Sequence, residues 1–273
     1  MSQHQLPDLH NFSSKFCAAI SKSSSEEAFL TKWGLKNLSE VYDVLHNNIQ
    51  GGYDSHQKLI LSTPPSDSVL TIGPGMGFCV FLLSELYDSV FVAEPDSENS
   101  CLIKDIATHY ITDKNQRAGD RVKLFNAGIS LSEESIKYWD AKRRAMEKRN
   151  LKGNILNFVI ENANELRGEF HEKVSRIYLH KVLSSLSISD SFENLLHEVL
   201  FFLAGHGVIT WAEPSYIFYD ILEVNGEGAL RDKVRTLFES HGLQAAQENY
   251  EISSKIKENT HLETWTLLKG GNN

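Results

Sequence analysis

The sequence predicts an α/β protein, a mostly parallel sheet flanked by helices and preceded by a helical extension. Two observations carry this. Residues 68–72, 73–77, 78–87 and 89–93 read as strand, glycine-rich turn, helix and strand, which is a β-α-β unit. Residues 245–252 and 262–268 read as two strands with no helix between them, which implies an antiparallel hairpin. Between these ends, apolar runs alternate with helical patterns, as parallel strands with crossover helices require.

Residues 1–24, polar over Met1–Asp8 and Ser-rich at Ser21–Ser25, read as weakly ordered. Ser24 or Ser25 would cap a helix over 26–33. Leu35, Leu38, Val41, Tyr42, Leu45 and Ile49 recur at helical spacing and mark a second helix, broken by Gly51-Gly52. A third runs over 55–62 and stops at Pro64-Pro65. Residues 1–65 are thus expected to form a helical extension or lid, and 66–273 the main domain.

After the β-α-β unit come a helix over 97–110 and a short candidate strand over 121–126. Residues 130–150 read as a long exposed helix with acids early and Lys142, Arg143, Arg144, Lys148 and Arg149 late, which suits the helix dipole. Strands are expected at 156–160, 174–179 and 208–211. Helices are expected at 191–203, closed by Gly205 and Gly207, and at 228–241, stopped by Gly242.

The formal net charge of −9 weighs against a nucleic-acid binder, whose affinity rests largely on basic residues. Cys17, Cys79 and Cys101 give neither a disulfide framework nor a metal-ligand spacing, so reduced thiols and a cytoplasmic setting are expected. The longest apolar stretches are too short to span a membrane.

The chemistry concentrates in Val69-Leu70-Thr71-Ile72-Gly73-Pro74-Gly75-Met76-Gly77. A turn between strand and helix that binds a ligand must bring backbone close to it and present helix N–H groups. Glycine allows the first and the helix N-terminus supplies the second. Glu94 closes the following strand, where an acid can accept hydrogen bonds from both ribose hydroxyls of an adenosine ligand. A dinucleotide turn would need a glycine where Phe78 stands.

This G-x-G-x-G turn, Glu94 and the closing hairpin resemble the class I S-adenosylmethionine (SAM)-dependent methyltransferases over about residues 55–270. The resemblance implies a seven-stranded sheet of order 3-2-1-4-5-7-6 with strand 7 antiparallel, and SAM as cofactor. It implies that Gly73, Pro74, Gly75 and Gly77 line the methionine part, that Glu94 holds the ribose, and that Pro95 and Asp96 flank the adenine. The loop after the third strand would add Ala163 and Asn164, if 156–160 is that strand and 113–154 an insertion. Phe125-Asn126-Ala127-Gly128 is the competing loop. Thr71 departs from the family pattern, which often has an acid there; Tyr53 is a candidate for the SAM carboxylate.

Substrate is expected beyond the C-terminal strand ends. The fourth strand ends in His180, a candidate proton acceptor, and lacks the N-P-P-Y pattern of base-gripping relatives. Trp211, Glu213, Tyr216 and Tyr219 are candidate pocket residues, and Tyr42, His46 and Tyr53 candidate lid residues. Cys79 reads as a buried structural thiol. The expected reaction is methyl transfer to nitrogen or oxygen of a small molecule, with a protein or RNA substrate, or a non-catalytic SAM-binding scaffold, as alternatives.

Overall fold

The computed structural model describes residues 6–47, 53–61, 67–94, 96–125, 168, 173–180, 182, 196, 199–214, 227–240, 242–252 and 261–269. Its centre is a seven-stranded sheet of order β3-β2-β1-β4-β5-β7-β6. The strands are β1 (Ser68–Ile72), β2 (Ser89–Ala93), β3 (Val122–Phe125), β4 (Val174–His180), β5 (Leu203–Pro214), β6 (Leu243–Ile252) and β7 (His261–Lys269). β3, β2, β1, β4 and β5 run parallel, and β7 is antiparallel to both β5 and β6. The order and the reversed seventh strand are those expected.

The strands buried on both faces are short apolar runs, as parallel strands covered by helices must be: four of the five β1 residues are fully buried. α5 (Phe78–Leu86) is buried along its whole length, which is why its sequence shows so little polar face. α6 (Ser97–His109) starts at Asp96, whose carboxylate accepts hydrogen bonds from the Glu98 and Asn99 amides. α7 (Glu227–Ser240) ends before Gly242, whose φ of 74° is the left-handed conformation that lets the chain turn back into β6.

Two expectations need correction. Residues 6–24 are not weakly ordered: α1 covers Leu9–Lys22, capped by Asp8, which accepts from the Asn11 amide at 2.8 Å. Phe12, Phe16, Ala19 and Ile20 form its buried stripe. α2 (Glu26–Lys32), α3 (Leu38–Asn47) and α4 (Tyr53–Leu61) follow. Ser25 takes the N-cap position of α2, but its hydroxyl makes no capping hydrogen bond. The Ser24 and Ser25 hydroxyls instead donate to Asp105 of α6, at 2.8 and 2.6 Å.

The second correction concerns the third strand. It is Val122–Phe125, in parallel register with β2 from Val90↔Val122 to Ala93↔Phe125. The place beside β2 is therefore filled by a strand inside 113–154, so that range is not wholly an insertion. The residues that follow β3 are Asn126-Ala127-Gly128, the competing loop. Residues 156–160, Ala163, Asn164 and the 130–150 helix lie outside the described residues.

The helical extension and the sheet share one core. Phe16 of α1 meets Phe78 and Phe81 of α5 at ring-centroid distances of 5.2 and 5.0 Å. Beneath them the buried Glu85 accepts from the Tyr110 hydroxyl and the Asp113 amide, both at 2.7 Å, and pairs with Lys15 of α1 at 2.5 Å. A buried carboxylate needs such partners, and these three tie α1, α5 and the α6 exit together. Among the described residues no helix is long and apolar enough to cross a membrane.

Candidate active site

The chain leaves β1 toward β2 on one side and returns through β4 on the other, so the C-terminal ends of β1 and β4 flank the switch point of the sheet. Clefts for ligands form there in open α/β folds. The glycine turn sits at the end of β1. Gly73, Gly75 and Gly77 have φ of 58°, 56° and 82°, a region that side chains rarely adopt. A Cβ on Gly73 would meet nothing within 4 Å, so the turn is open above that residue. A Cβ on Gly77 would lie 2.9 Å from Ile103, so this glycine lets α5 and α6 close up.

Glu94, one residue beyond β2, is 4% exposed. Its amide donates to the Phe125 carbonyl at 3.0 Å, which extends the β2–β3 ladder to the acid. Its carboxylate accepts from the Asp96 amide at 2.9 Å. Burial pushes the Glu94 carboxyl above its ordinary pKa, and the Asp96 charge adds to this. Hydrogen bonding at the carboxylate, led by the Asp96 amide, opposes it without cancelling it. The Gly73 amide donates to the Ala93 carbonyl at 2.8 Å, which ties the glycine turn to the strand that leads into the acid. Pro95 lies outside the described residues.

Thr71 is buried, with its hydroxyl 3.8 Å from the Cys79 sulfur. It faces α5. Burial pushes the Cys79 thiol up to about 12, so it stays protonated. Tyr53 is 2% exposed, packs against Phe12 at 5.6 Å, and donates its hydroxyl to the Pro7 carbonyl. These contacts make it a core residue of the extension and correct the expectation of a carboxylate contact. Trp211 is likewise core: it is 1% exposed and packs on Phe238 of α7 at 6.1 Å. Tyr42 and His46 stack at 3.8 Å on α3. Tyr216 and Tyr219 lie outside the described residues, as does the side chain of Glu213.

At the end of β4 the structure adds a residue that sequence reasoning missed. His180, half-buried, has its ring centroid 4.1 Å from that of His56 on α4. His56 is 6% exposed, and its Nδ1 is 2.7 Å from the Tyr178 hydroxyl. Burial holds the Tyr178 phenol well above its ordinary pKa, so it keeps a hydrogen to donate. Donation to Nδ1 places a neutral His56's proton on Nε2. The only sequence signal for His56 was its position on an amphipathic helix, which says nothing about β4.

No family model and no curated protein matches the chain. Solved structures do. A Burkholderia thailandensis 1,6-didemethyltoxoflavin-N1-methyltransferase is 12% identical, with a TM-score of 0.51 over 97% of this chain and 92% of that one. A SAM-dependent methyltransferase from Leishmania major is 15% identical, with a TM-score of 0.49 over 96% and 86%. A 16S ribosomal RNA adenine N1-methyltransferase from Catenulisporales acidiphilia is 8% identical, with a TM-score of 0.47 over 81% and 92%. The fold is thus that of the class I, Rossmann-like SAM-dependent methyltransferases.

Proposed function

We propose that the protein is a SAM-dependent methyltransferase that moves a methyl group to a nitrogen or oxygen of a small molecule. One observation carries this: three left-handed glycines after β1, hydrogen-bonded through the Gly73 amide to Ala93, the residue before the buried acid Glu94. The residues fit an S-adenosyl ligand. The turn is open above Gly73, and the Asn99 Oδ1 beside Glu94 is buried with no partner. Gly73, Pro74, Gly75 and Gly77 would face the methionine part and Glu94 the ribose, with Pro95 and Asp96 near the adenine. Ala163 and Asn164 lose their support, because β3 precedes 126–128 instead.

When bound, SAM supplies a methyl group already activated by a sulfonium, so alignment provides much of the rate. An O–H or N–H acceptor sheds a proton as its new bond to carbon forms. His180 takes that proton at the open end of β4. His56 stacks on its ring and Tyr178 fixes His56. Residues 1–65 form a helical cover rooted in the main core, and the protein works in the cytoplasm. The acidic balance supports a small-molecule acceptor over RNA.

Calorimetry tests the cofactor: S-adenosylhomocysteine should bind, and NADH should not. Incubation with labelled SAM and fractionated cell extract tests the acceptor. Label is expected in small molecules; label in RNA or protein would replace that part of the reading, and no transfer to any fraction would favour a non-catalytic SAM-binding scaffold.

A further inference from the structure

The glycine turn is open at one residue and covered at another. A Cβ on Gly73 would meet nothing within 4 Å, whereas one on Gly75 would lie 3.6 Å from Cη2 of Trp33. That is ordinary van der Waals contact, so the tip of the indole rests over Gly75. Trp33 comes from the helical extension, where it closes α2, half-buried at the edge of the common core. Its place is set by the way α2 ends. The Leu35 amide donates to the Leu30 carbonyl at 2.8 Å and the Gly34 amide to the Thr31 carbonyl at 3.2 Å, with Gly34 left-handed at a φ of 67°. This is a Schellman stop, and it turns the chain away directly after Trp33. α2 is also held to α6 at both ends. Ser24 and Ser25 donate to Asp105, and Lys32 reaches Asp96 at 3.3 Å and Glu98 at 2.8 Å. The Lys32 side chain is 17% exposed, so water and salt screen these pairs less than they would on the open surface. Asp96 is two residues beyond Glu94, so the clamp grips at the cofactor end of the sheet. Gly73 and Gly75 admit a ligand closely but have no side chains to pack against its carbon atoms. The indole stands where that packing is missing.

We propose that Trp33 is a wall of the cofactor site, its indole edge packing against the aliphatic chain of the amino-acid part of the S-adenosyl ligand over Gly75. The inference rests on the S-adenosyl reading of the site. Unlike the rest of the cofactor half, this wall comes from the extension. It makes α2 a fitted side of the cofactor pocket, held shut by Lys32, and not only part of a cover.

The test uses the full chain and two ligands: S-adenosylhomocysteine, and 5′-methylthioadenosine, which keeps the nucleoside and sulfur but lacks the amino-acid chain. Both are titrated by calorimetry into wild type, Trp33→Ala and Trp33→Phe. Trp33→Ala should bind S-adenosylhomocysteine about tenfold more weakly, the effect of no longer burying roughly 50–60 Å² of apolar surface. Its affinity for methylthioadenosine should match that of wild type, and Trp33→Phe should regain most of the lost affinity. Tryptophan emission gives a second reading. Saturation with S-adenosylhomocysteine should change it in wild type and not in Trp33→Phe, which still holds Trp139, Trp211 and Trp265. Unchanged affinity in a folded Trp33→Ala overturns the proposal. So does an equal loss for both ligands, or an emission change that persists in Trp33→Phe. If Trp33→Ala does not fold, the emission of Trp33→Phe decides. Failure of wild type to bind either ligand removes the underlying reading, a different result from normal wild-type binding with an indifferent Trp33.

Discussion

The two halves of the site are built in different ways. The cofactor half is local. The glycine turn, the helix it opens, the second strand and Glu94 follow one another without a break, and the Gly73 amide bonds the Ala93 carbonyl at 2.8 Å. The proposed substrate half is assembled from afar. His56 and Tyr178 are 122 residues apart, brought together because α4 lies over the end of β4. A local site depends on backbone conformation. An assembled one depends on how the extension docks.

The sharpest way to break this division is to damage one half and read the other. His180→Ala should lower turnover by about 10²–10⁴-fold if it is the proton acceptor, with S-adenosylhomocysteine affinity unchanged. Loss of ligand affinity would show that the two halves are not separate. Normal turnover would mean that alignment alone suffices. Conversely, Glu94→Ala should weaken S-adenosylhomocysteine binding by about a hundredfold, since a charge-assisted hydrogen bond is worth about 1.5–3 kcal/mol. Calorimetry reads this directly, and an unchanged dissociation constant would remove Glu94 from the cofactor site.

The same division explains what was legible in the sequence. The glycine–acid pair was readable because it rests on a contiguous pattern, and the strand order followed from the family resemblance that this pattern carries. The first helix was readable too and was passed over: Phe12, Phe16 and Ile20 recur every fourth residue, but the Ser-rich context obscured the stripe. β3 was misplaced for a physical reason. It is a four-residue edge strand with an exposed lysine in the middle, and it lies far from the 174–179 strand in sequence, whereas 156–160 precedes that strand at the usual distance. His56 could not be read at all: its contacts with Tyr178 and His180 arise only when α4 docks over β4, and no spacing rule encodes that.

Gly77 sharpens the local half further. Gly77→Ala must place a Cβ 2.9 Å from Ile103 at a φ of 82°. Left-handed strain and the clash together should cost about 2 kcal/mol, read by urea denaturation. Ligand affinity should fall as well, because the turn holding the Gly75 amide shifts. An alanine variant as stable as wild type would mean that α6 gives way easily there.

The smallest effect tests the electrostatics of the buried acid. Glu94 has a raised pKa in the folded protein, caused first by burial, so the folded state holds its proton at pH values where the unfolded chain has lost it. Stability therefore falls as pH rises from the ordinary glutamate value through the raised one, and is flat above it. Glu94→Gln carries no charge and lacks this slope. Denaturation of both proteins from about pH 4.5 toward neutrality should show wild type losing ground to the variant. Saturating S-adenosylhomocysteine should reverse the trend for wild type. Its hydroxyls donate to the ionised carboxylate, and binding to the native state alone adds stability by mass action. Parallel pH profiles for the two proteins would mean that the acid is not held in the environment described. A slope that the ligand leaves untouched would mean that the acid is buried but does not receive the ribose.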